Sequence, residues 1–480
     1  MDRRVAVPSA PVAAALTQLA VLVLGSAGYG FHRDELYFRM LPPAWGYLDQ
    51  PPLAPLLARV LAAVVDEPWS LRLPASLATA AAVLLVAAIT AELGGGRRAQ
   101  AFAAWGAAFA GLPLVLGHVL LTSALDLPLT LAMVLAGRRA LRGEPRWWLV
   151  VGAVSGAAVW NRWLVVVPLA GLATGVLLLG PRDSLRTRWP WLGALVALGV
   201  AAPQVVYQVT NGWPQLTMGQ ALSAAIAADT RAALPLILVA AIGIPLVPVW
   251  LWGVVHVARV PEARWLLVAV GSILTLTWVS GAQPHYPVPM LLVLWAAGCV
   301  PLASWTARHG YARVVAGVLA ANAVVSVVLA LPVIPLDVVG RTPVPDVNPL
   351  VGDQVGWPRY VEQVARVWDD VLDPDAVVLT SNYGEAGAVD RFGPMLGLPS
   401  AYSGHNALGD LGPPPDTTET AVVVGAQYPE LAPLFARCEV RALLDNGVGV
   451  DSEEQGVPVA VCRGPRRPWA DLWPSVRHLD

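Results

Sequence analysis

The sequence contains no lysine: its 31 Lys-or-Arg positions are all arginine, set against 33 acids for a net charge of −2. There is no basic block of the kind that neutralises nucleic-acid phosphates, which argues against a nucleic-acid partner. Any phosphate held electrostatically is held by guanidinium, a planar and bidentate donor. Charge of either sign is scarce as well, at 13% of 480 residues against 56% hydrophobic residues, with mean hydropathy of +0.58. That balance excludes a soluble globular protein of this length. Cysteine is limited to Cys299, Cys438 and Cys462, without metal-ligand spacing. Cys299 lies in an apolar run and reads as packing, whereas Cys438 and Cys462 flank predicted strands and leave a disulfide open. Internal repeats and low-complexity tracts are also lacking.

What the chain has instead is apolar runs of about 20 residues, the length a helix needs to cross the hydrocarbon core. They recur from Pro11 to about Leu336 and then stop. Spans are expected at 10–30, 71–93, 99–120, 122–138, 147–161, 163–180, 190–209, 233–256, 264–281, 286–305 and 312–335, about eleven in all. The first resembles a secretory signal, with Ser26-Ala27-Gly28 as a weak cleavage site, but the many later spans favour a retained helix. Arginines fall in alternate connections: Arg3 and Arg4, Arg97 and Arg98, Arg138 to Arg146, Arg182 to Arg188, Arg259 and Arg264, and Arg308 and Arg313. By the positive-inside bias that side is cytoplasmic, the N-terminus with it, and Arg59 and Arg72 are exceptions. The short spans around Asn161 and Arg162 are the weakest of the set; they could form one bent helix.

The stretch Phe31 to Pro55, Asn211-Gly212-Trp213-Pro214, the Gln283-Pro284-His285-Tyr286 turn and the whole C-terminal tail then face the extracytoplasmic side. Past Leu336 the pattern changes to short segments. Trp357 to Val371 reads as an amphipathic helix, Ala376 to Leu379, Ala421 to Val424 and Val457 to Val461 as buried strands, and Leu431 to Arg437 as another helix. The expected fold is therefore mainly α, a polytopic membrane helical bundle over 1–335, with a small α/β extracytoplasmic domain over 336–480.

The polar chemistry is concentrated after the first span. The first outer loop, 31–70, holds Asp34 and Glu35, then Asp49 inside Tyr47-Leu48-Asp49-Gln50-Pro51-Pro52. A partly desolvated carboxylate at such a boundary can act as a general base; for two acids alone a solvated juxtamembrane pair is the blander reading. Asp126 stands near the outer start of a span with no charged neighbour, where an acid is costly and by default functional; a helix-capping role is compatible. Arg162 at the outer boundary can hold a phosphate or serve as a snorkelling anchor. Arg231, His285 and Tyr286 are further candidates for phosphate or sugar contacts, each with an ordinary boundary or turn reading beside it. His405 has the same standing as a turn residue. Acids and an arginine at the outer face suit transfer from a lipid phosphate: one carboxylate deprotonates the acceptor hydroxyl, and Arg stabilises the leaving phosphate. A divalent cation, Mg or Mn, held by Asp34 and Asp126 could assist.

At these residues the chain resembles the polyprenyl-phosphate-dependent glycosyltransferases of the C superfamily, in particular the bacterial protein mannosyltransferase and aminoarabinose transferase group. The resemblance rests on Asp34-Glu35, on Gly46-Tyr47-Leu48-Asp49-Gln50-Pro51-Pro52-Leu53, on Asp126, and on Asn161-Arg162-Trp163, where relatives often carry Lys. In the tail it extends to Gly356-Trp357-Pro358, Asn382-Tyr383-Gly384-Glu385-Ala386-Gly387-Ala388 and Tyr402-Ser403-Gly404-His405-Asn406. It implies a plasma-membrane enzyme that transfers a sugar from a polyprenyl-phosphate donor, with inversion, to a glycan, lipid or protein acceptor. Asp34 would be the base, Glu35, Asp49 and Asp126 would shape the site, and Arg162 would face the lipid phosphate. A transporter or flippase of lipid-linked saccharide is the competing reading. It accounts for Asp126 but not for polar residues gathered on the face that also bears the tail.

Overall fold

The computed structural model describes residues 9–479, so Arg3, Arg4 and the expected cytoplasmic N-terminus lie outside the described residues. The chain forms two compact units. One comprises the chain up to Ser26 with Gln50–Leu53 and Arg72–Leu331; the other comprises Ala27–Asp49, Ala54–Leu71 and the chain from Pro332 onward.

Up to Leu331 the helices are α1 Ser9–Gly25, α2 Arg33–Met40, α3 Leu53–Ala62, α4 Pro68–Glu92, α5 Arg97–Ala108 and α6 Gly111–His118. Then follow α7 Thr122–Leu141, α8 Trp147–Val159, α9 Val166–Leu179, α10 Trp189–Thr210 and α11 Pro214–Ile242. The series ends with α12 Val247–Arg259, α13 Trp265–Ser280, α14 Val288–His309 and α15 Ala312–Ala330. Among the described residues, six helices are long and apolar enough to cross a membrane, α4, α10, α11, α13, α14 and α15; α5 and α6, bent by 55°, make a seventh if counted as one span. This corrects the count of about eleven. Helices α8 and α12 have only 13 residues each, about 20 Å of rise against a hydrocarbon core of about 30 Å. Helix α7 carries Asp126, Arg138 and Arg139, which take it out of the apolar class.

The expected span at 233–256 is also corrected. Helix α11 begins at Pro214, and the chain breaks at Gly243 (φ 125°) before α12 resumes. Hydropathy averages across that break and overlooks the polar first half of α11, with Gln215, Gln220, Ser223, Asp229 and Arg231, which is helical all the same. The break meets another one. Asn322 of α15 donates Nδ2 to the Phe109 carbonyl between α5 and α6 (3.2 Å), and a Cβ at Gly243 would lie 1.8 Å from its Oδ1. One buried amide thus satisfies a carbonyl at one break and packs closely against the other.

Hydrogen bonds show which helix ends share a level. Arg139 and Arg142 pair with Glu92 at the end of α4 (2.8 and 3.1 Å), Arg138 donates to the Glu262 carbonyl ahead of α13 (2.8 Å), and His256 of α12 sits 3.0 Å from the Leu93 carbonyl. At the opposite ends of α7 and α13, Asn161 donates to the Thr122 carbonyl (2.8 Å) and Arg231 to the Trp278 and Val279 carbonyls (3.1 and 2.7 Å). The exceptions to the arginine bias have structural duties: fully buried Arg72 donates to the Ser26 carbonyl (2.7 Å), and Arg59 donates to that of Leu41 (3.2 Å).

The second unit is built on a five-stranded sheet, in order β2-β1-β3-β5-β4, from β1 Val377–Thr380, β2 Ala401–Ser403, β3 Thr420–Val424, β4 Phe435–Leu443 and β5 Pro458–Pro465. Strands β2, β1 and β3 run parallel, and β5 and β4 are added antiparallel. The continuous apolar runs of β1 and β3 are fully buried, as expected of strands covered on both faces. The Trp357–Asp369 helix forms where its amphipathic pattern places it. The helix expected over Leu431 to Arg437 does not form: a turn at Tyr428–Leu431 and a 3-10 turn at Ala432–Leu434 lead straight into β4. Phe435–Leu443 pairs along β5, and ladder bonds override local helix preference.

Cys438 and Cys462 face each other across β4 and β5 and form a disulfide. Replacing both by serine should lower the stability of the tail by about 3 kcal/mol, the chain-entropy estimate for a loop of this size. The thermal midpoint of the purified protein measures this, and an unchanged midpoint would show that the sheet alone fixes this edge.

Candidate active site

Asp34 lies in the first turn of α2, which His32 caps: its Nδ1 accepts from the Asp34 N–H (3.1 Å), and Glu35 Oε2 accepts from the His32 N–H (2.8 Å). The carboxylate of Glu35 is therefore committed to the cap and fully buried. Asp34 is different. Its residue is half-exposed, and Oδ1 accepts a hydrogen bond from the Tyr383 hydroxyl (2.9 Å). The two arginines of α2 are occupied: Arg33 pairs with Glu453 and Asp353, and Arg39 holds Asp66 with two hydrogen bonds and Asp390 with a third (2.7 Å).

Asp49 accepts from the Tyr37 hydroxyl (2.9 Å) at Oδ2, while its buried Oδ1 has no hydrogen-bond partner among the described residues. Burial pushes its carboxyl up to about 6, more than the Tyr37 hydrogen bond lowers it. The Tyr37 oxygen also accepts from the Ala407 N–H (3.2 Å). The tail motifs hold this loop: the Tyr383–Phe392 helix packs on α2, and a Cβ at Gly387 would lie 2.6 Å from Leu36 backbone. Only a side chain this small permits the approach.

Within that helix Glu385 closes a second capping box, its Oε2 accepting from the Ser381 and Asn382 N–H groups (2.9 and 3.1 Å). Burial, and then the charge of Glu454, push it up to about 8. A carboxyl whose pKa rises on folding contributes stability that is complete below its unfolded value, near 4.5, and is lost as pH climbs through about 8. Glu385→Gln keeps an acceptor for both N–H groups and cannot ionise. The stability of the variant, followed through its thermal midpoint, should therefore fall less than that of the wild type between pH 6 and pH 9, the difference in unfolding free energy being on the order of a few kcal/mol. Parallel slopes would show that Glu385 is not the titrating group.

The other candidates belong to the membrane unit. Arg162 follows α8 in extended backbone and donates Nη2 to the hydroxyls of Thr122 and Ser123. Its guanidinium lies 4.8 Å from the centroid of the Tyr286 ring, and Nη1 is 3.5 Å from His285 Nε2. Ser123 Oγ is 2.7 Å from the same nitrogen. A guanidinium only donates, so His285 accepts at Nε2 and carries its proton on Nδ1. Burial, with Arg162 beside it, holds His285 down to about 3, neutral at any physiological pH. Asp126, one turn into α7, is buried with Oδ1 lacking a hydrogen-bond partner among the described residues, and it feels the Arg162 charge. Leu53, ending the Tyr47 to Leu53 segment, donates to the Trp160 carbonyl (3.1 Å).

The structure thus brings Arg162, His285, Tyr286 and Asp126 into one cluster, whereas Arg231 donates to carbonyls at the end of α13. Residues to which the sequence assigned no role are Thr122, Ser123, Tyr37 and Tyr383. The first two stand beside Asp126 in sequence, and Tyr383 lies in a tail motif whose contacts only folding reveals. Among the described residues no three His, Cys, Asp or Glu side chains gather as a metal-ion cage, and Asp34 Oδ1 already carries a donor. These carboxylates alone do not supply the ligands of a tightly held divalent cation.

Residues 49–207 match the family model for dolichyl-phosphate-mannose-protein mannosyltransferase. No curated protein matches the chain. Among solved structures, ArnT from Cupriavidus metallidurans in the apo state is similar over 94% of this chain and 97% of its own, with TM-score 0.59 and 16% identity. The same protein bound to undecaprenyl phosphate gives 95%, 98%, 0.59 and 16%. The Archaeoglobus fulgidus oligosaccharyltransferase in complex with Zn and sulfate is similar over 88% of this chain and 69% of its own, with TM-score 0.50 and 12% identity. The family match covers about a third of the chain, and the solved structures, at 16% identity or less, share its fold.

Proposed function

We propose that this protein is an inverting glycosyltransferase of the plasma membrane that moves one sugar from a polyprenyl-phosphate carrier to an acceptor hydroxyl on the extracytoplasmic face. The observation that carries the reading is the state of Asp34: half-exposed, with Oδ1 anchored and Oδ2 left to accept a proton. As the acceptor oxygen attacks the anomeric carbon, Oδ2 takes its proton and the bond from that carbon to the phosphate oxygen breaks. The polyprenyl phosphate leaves with the electron pair. Arg162, held by two hydroxyls and a neutral histidine, offers guanidinium N–H groups to the charge that develops on it. Asp49 shapes the polar surroundings of Asp34, and Asp126 those of Arg162. A divalent cation, whether Mg or Mn, would draw most of its ligands from water and the donor phosphate, and no step here depends on one.

Residues 1–335 serve as the transmembrane catalytic domain, with the acids in the loop 31–70, and 336–480 as the extracytoplasmic domain. The Cys438–Cys462 disulfide suits an oxidising compartment for the tail.

Radiolabel transfer from a mixed pool of polyprenyl-phosphate sugars, in membranes carrying wild type or Asp34→Asn, tests the reading. Label should reach a new covalent acceptor only with wild type. Lipid-linked sugar that merely changes sides of the bilayer would instead establish a transporter.

A further inference from the structure

Tyr383 is held more firmly than a tail residue on a helix terminus needs to be. Its ring is stacked between Tyr37 (centroids 4.6 Å apart) and His405 (4.7 Å), and His405 stacks in turn on His478 (4.5 Å). The Arg33 guanidinium lies 4.9 Å from the ring centroid. The Tyr383 N–H donates to His405 Nδ1 (3.2 Å), and Asn382 caps the helix that Tyr383 begins. All of this fixes one atom, the phenol oxygen, 2.9 Å from Asp34 Oδ1. Burial and the neighbouring Asp34 charge keep the phenol well above its ordinary range, so it remains a donor at every working pH.

We propose that Tyr383, supplied by the tail, is the positioning residue for the base Asp34, fixing its carboxylate in one rotamer and leaving Oδ2 alone to receive the acceptor proton. The inference rests on the reading of Asp34 as the base. It gives the tail a part in the chemistry itself. A freely rotating aspartate samples orientations in which neither oxygen meets the incoming hydroxyl, and misplacement of a reacting group by about 1 Å can cost about 100-fold in rate. Asp49 is held in the same way, by the phenol of Tyr37 from the neighbouring ring of the stack.

Tyr383→Phe in the full-length protein tests this, because it keeps the ring stack and removes only the hydroxyl. Tyr360→Phe is the control: that phenol contacts Ser452 and Gln455 in the same unit, so its loss weakens the fold without touching Asp34. With a radiolabelled pool of polyprenyl-phosphate sugars in membranes, Tyr383→Phe should lower the rate at saturating donor by about 10- to 100-fold. Half-saturation should move less than twofold, and the control should keep wild-type turnover. Equal rate losses in both variants, or none in Tyr383→Phe while Asp34→Asn is inactive, would overturn the positioning role and leave the base standing. Wild-type turnover in Asp34→Asn would remove the base, and this proposal with it. Thermal midpoints within a few degrees of wild type confirm that rates are compared between folded proteins.

Discussion

Asparagine at position 34 is expected to reduce sugar transfer by about 100- to 10,000-fold, the range in which general-base catalysis contributes. The substitution is nearly isosteric, and its amide can present a carbonyl oxygen to the Tyr383 hydroxyl in place of Oδ1. The cap of α2 also survives, since it uses the Asp34 backbone N–H and the Glu35 side chain. What is lost is an oxygen able to take a proton. The deficit should therefore appear in turnover, with expression, insertion and thermal midpoint close to wild type. Transfer at the wild-type rate from membranes with equal protein would remove Asp34 from the mechanism.

Alanine in place of Arg162 should lower transfer by about 100- to 1,000-fold, as removal of a preorganised donor to developing charge does elsewhere. The guanidinium is prepared for an anion: Thr122, Ser123 and Tyr286 fix its plane, and His285 beside it stays neutral and so does not compete for a negative ligand. Arg162→Lys should recover part of the loss, because charge remains while the planar fork does not. Initial rates at graded concentrations of labelled donor separate the outcomes. A membrane anchor that merely snorkels would give altered insertion or stability with unchanged rates per molecule, and that result would end the phosphate assignment.

Much of the candidate site is legible in the sequence because its residue types are costly where they stand. Asp126 in an apolar helix and Arg162 beside Trp163 need a reason to be there, and both lie in the polar cluster at the end of α7 and α8. Glu35 was misleading for the opposite reason. Next to Asp34 it reads as a second catalytic acid, yet its spacing from His32 makes it a capping residue, and histidine is not an expected N-cap. Arg231 looked like a boundary charge because the first half of α11 is too polar to register as a helix in hydropathy; its guanidinium instead closes carbonyls at the end of α13.

The sequence by itself determined that this is a polytopic membrane protein with an α/β tail, because apolar run length and strand periodicity are local properties written residue by residue. It also determined where the costly polar groups stand. Tertiary structure alone decided that α11 and α12 part at Gly243 beside Asn322, that Phe435–Leu443 is a strand bridged to β5, and that a tail tyrosine holds Asp34. Each of these depends on partners far apart in the chain, 349 residues in the case of Tyr383 and Asp34. No local pattern encodes such a pairing, since it arises only when burial and hydrogen bonding across the fold outweigh the preferences of each segment taken alone.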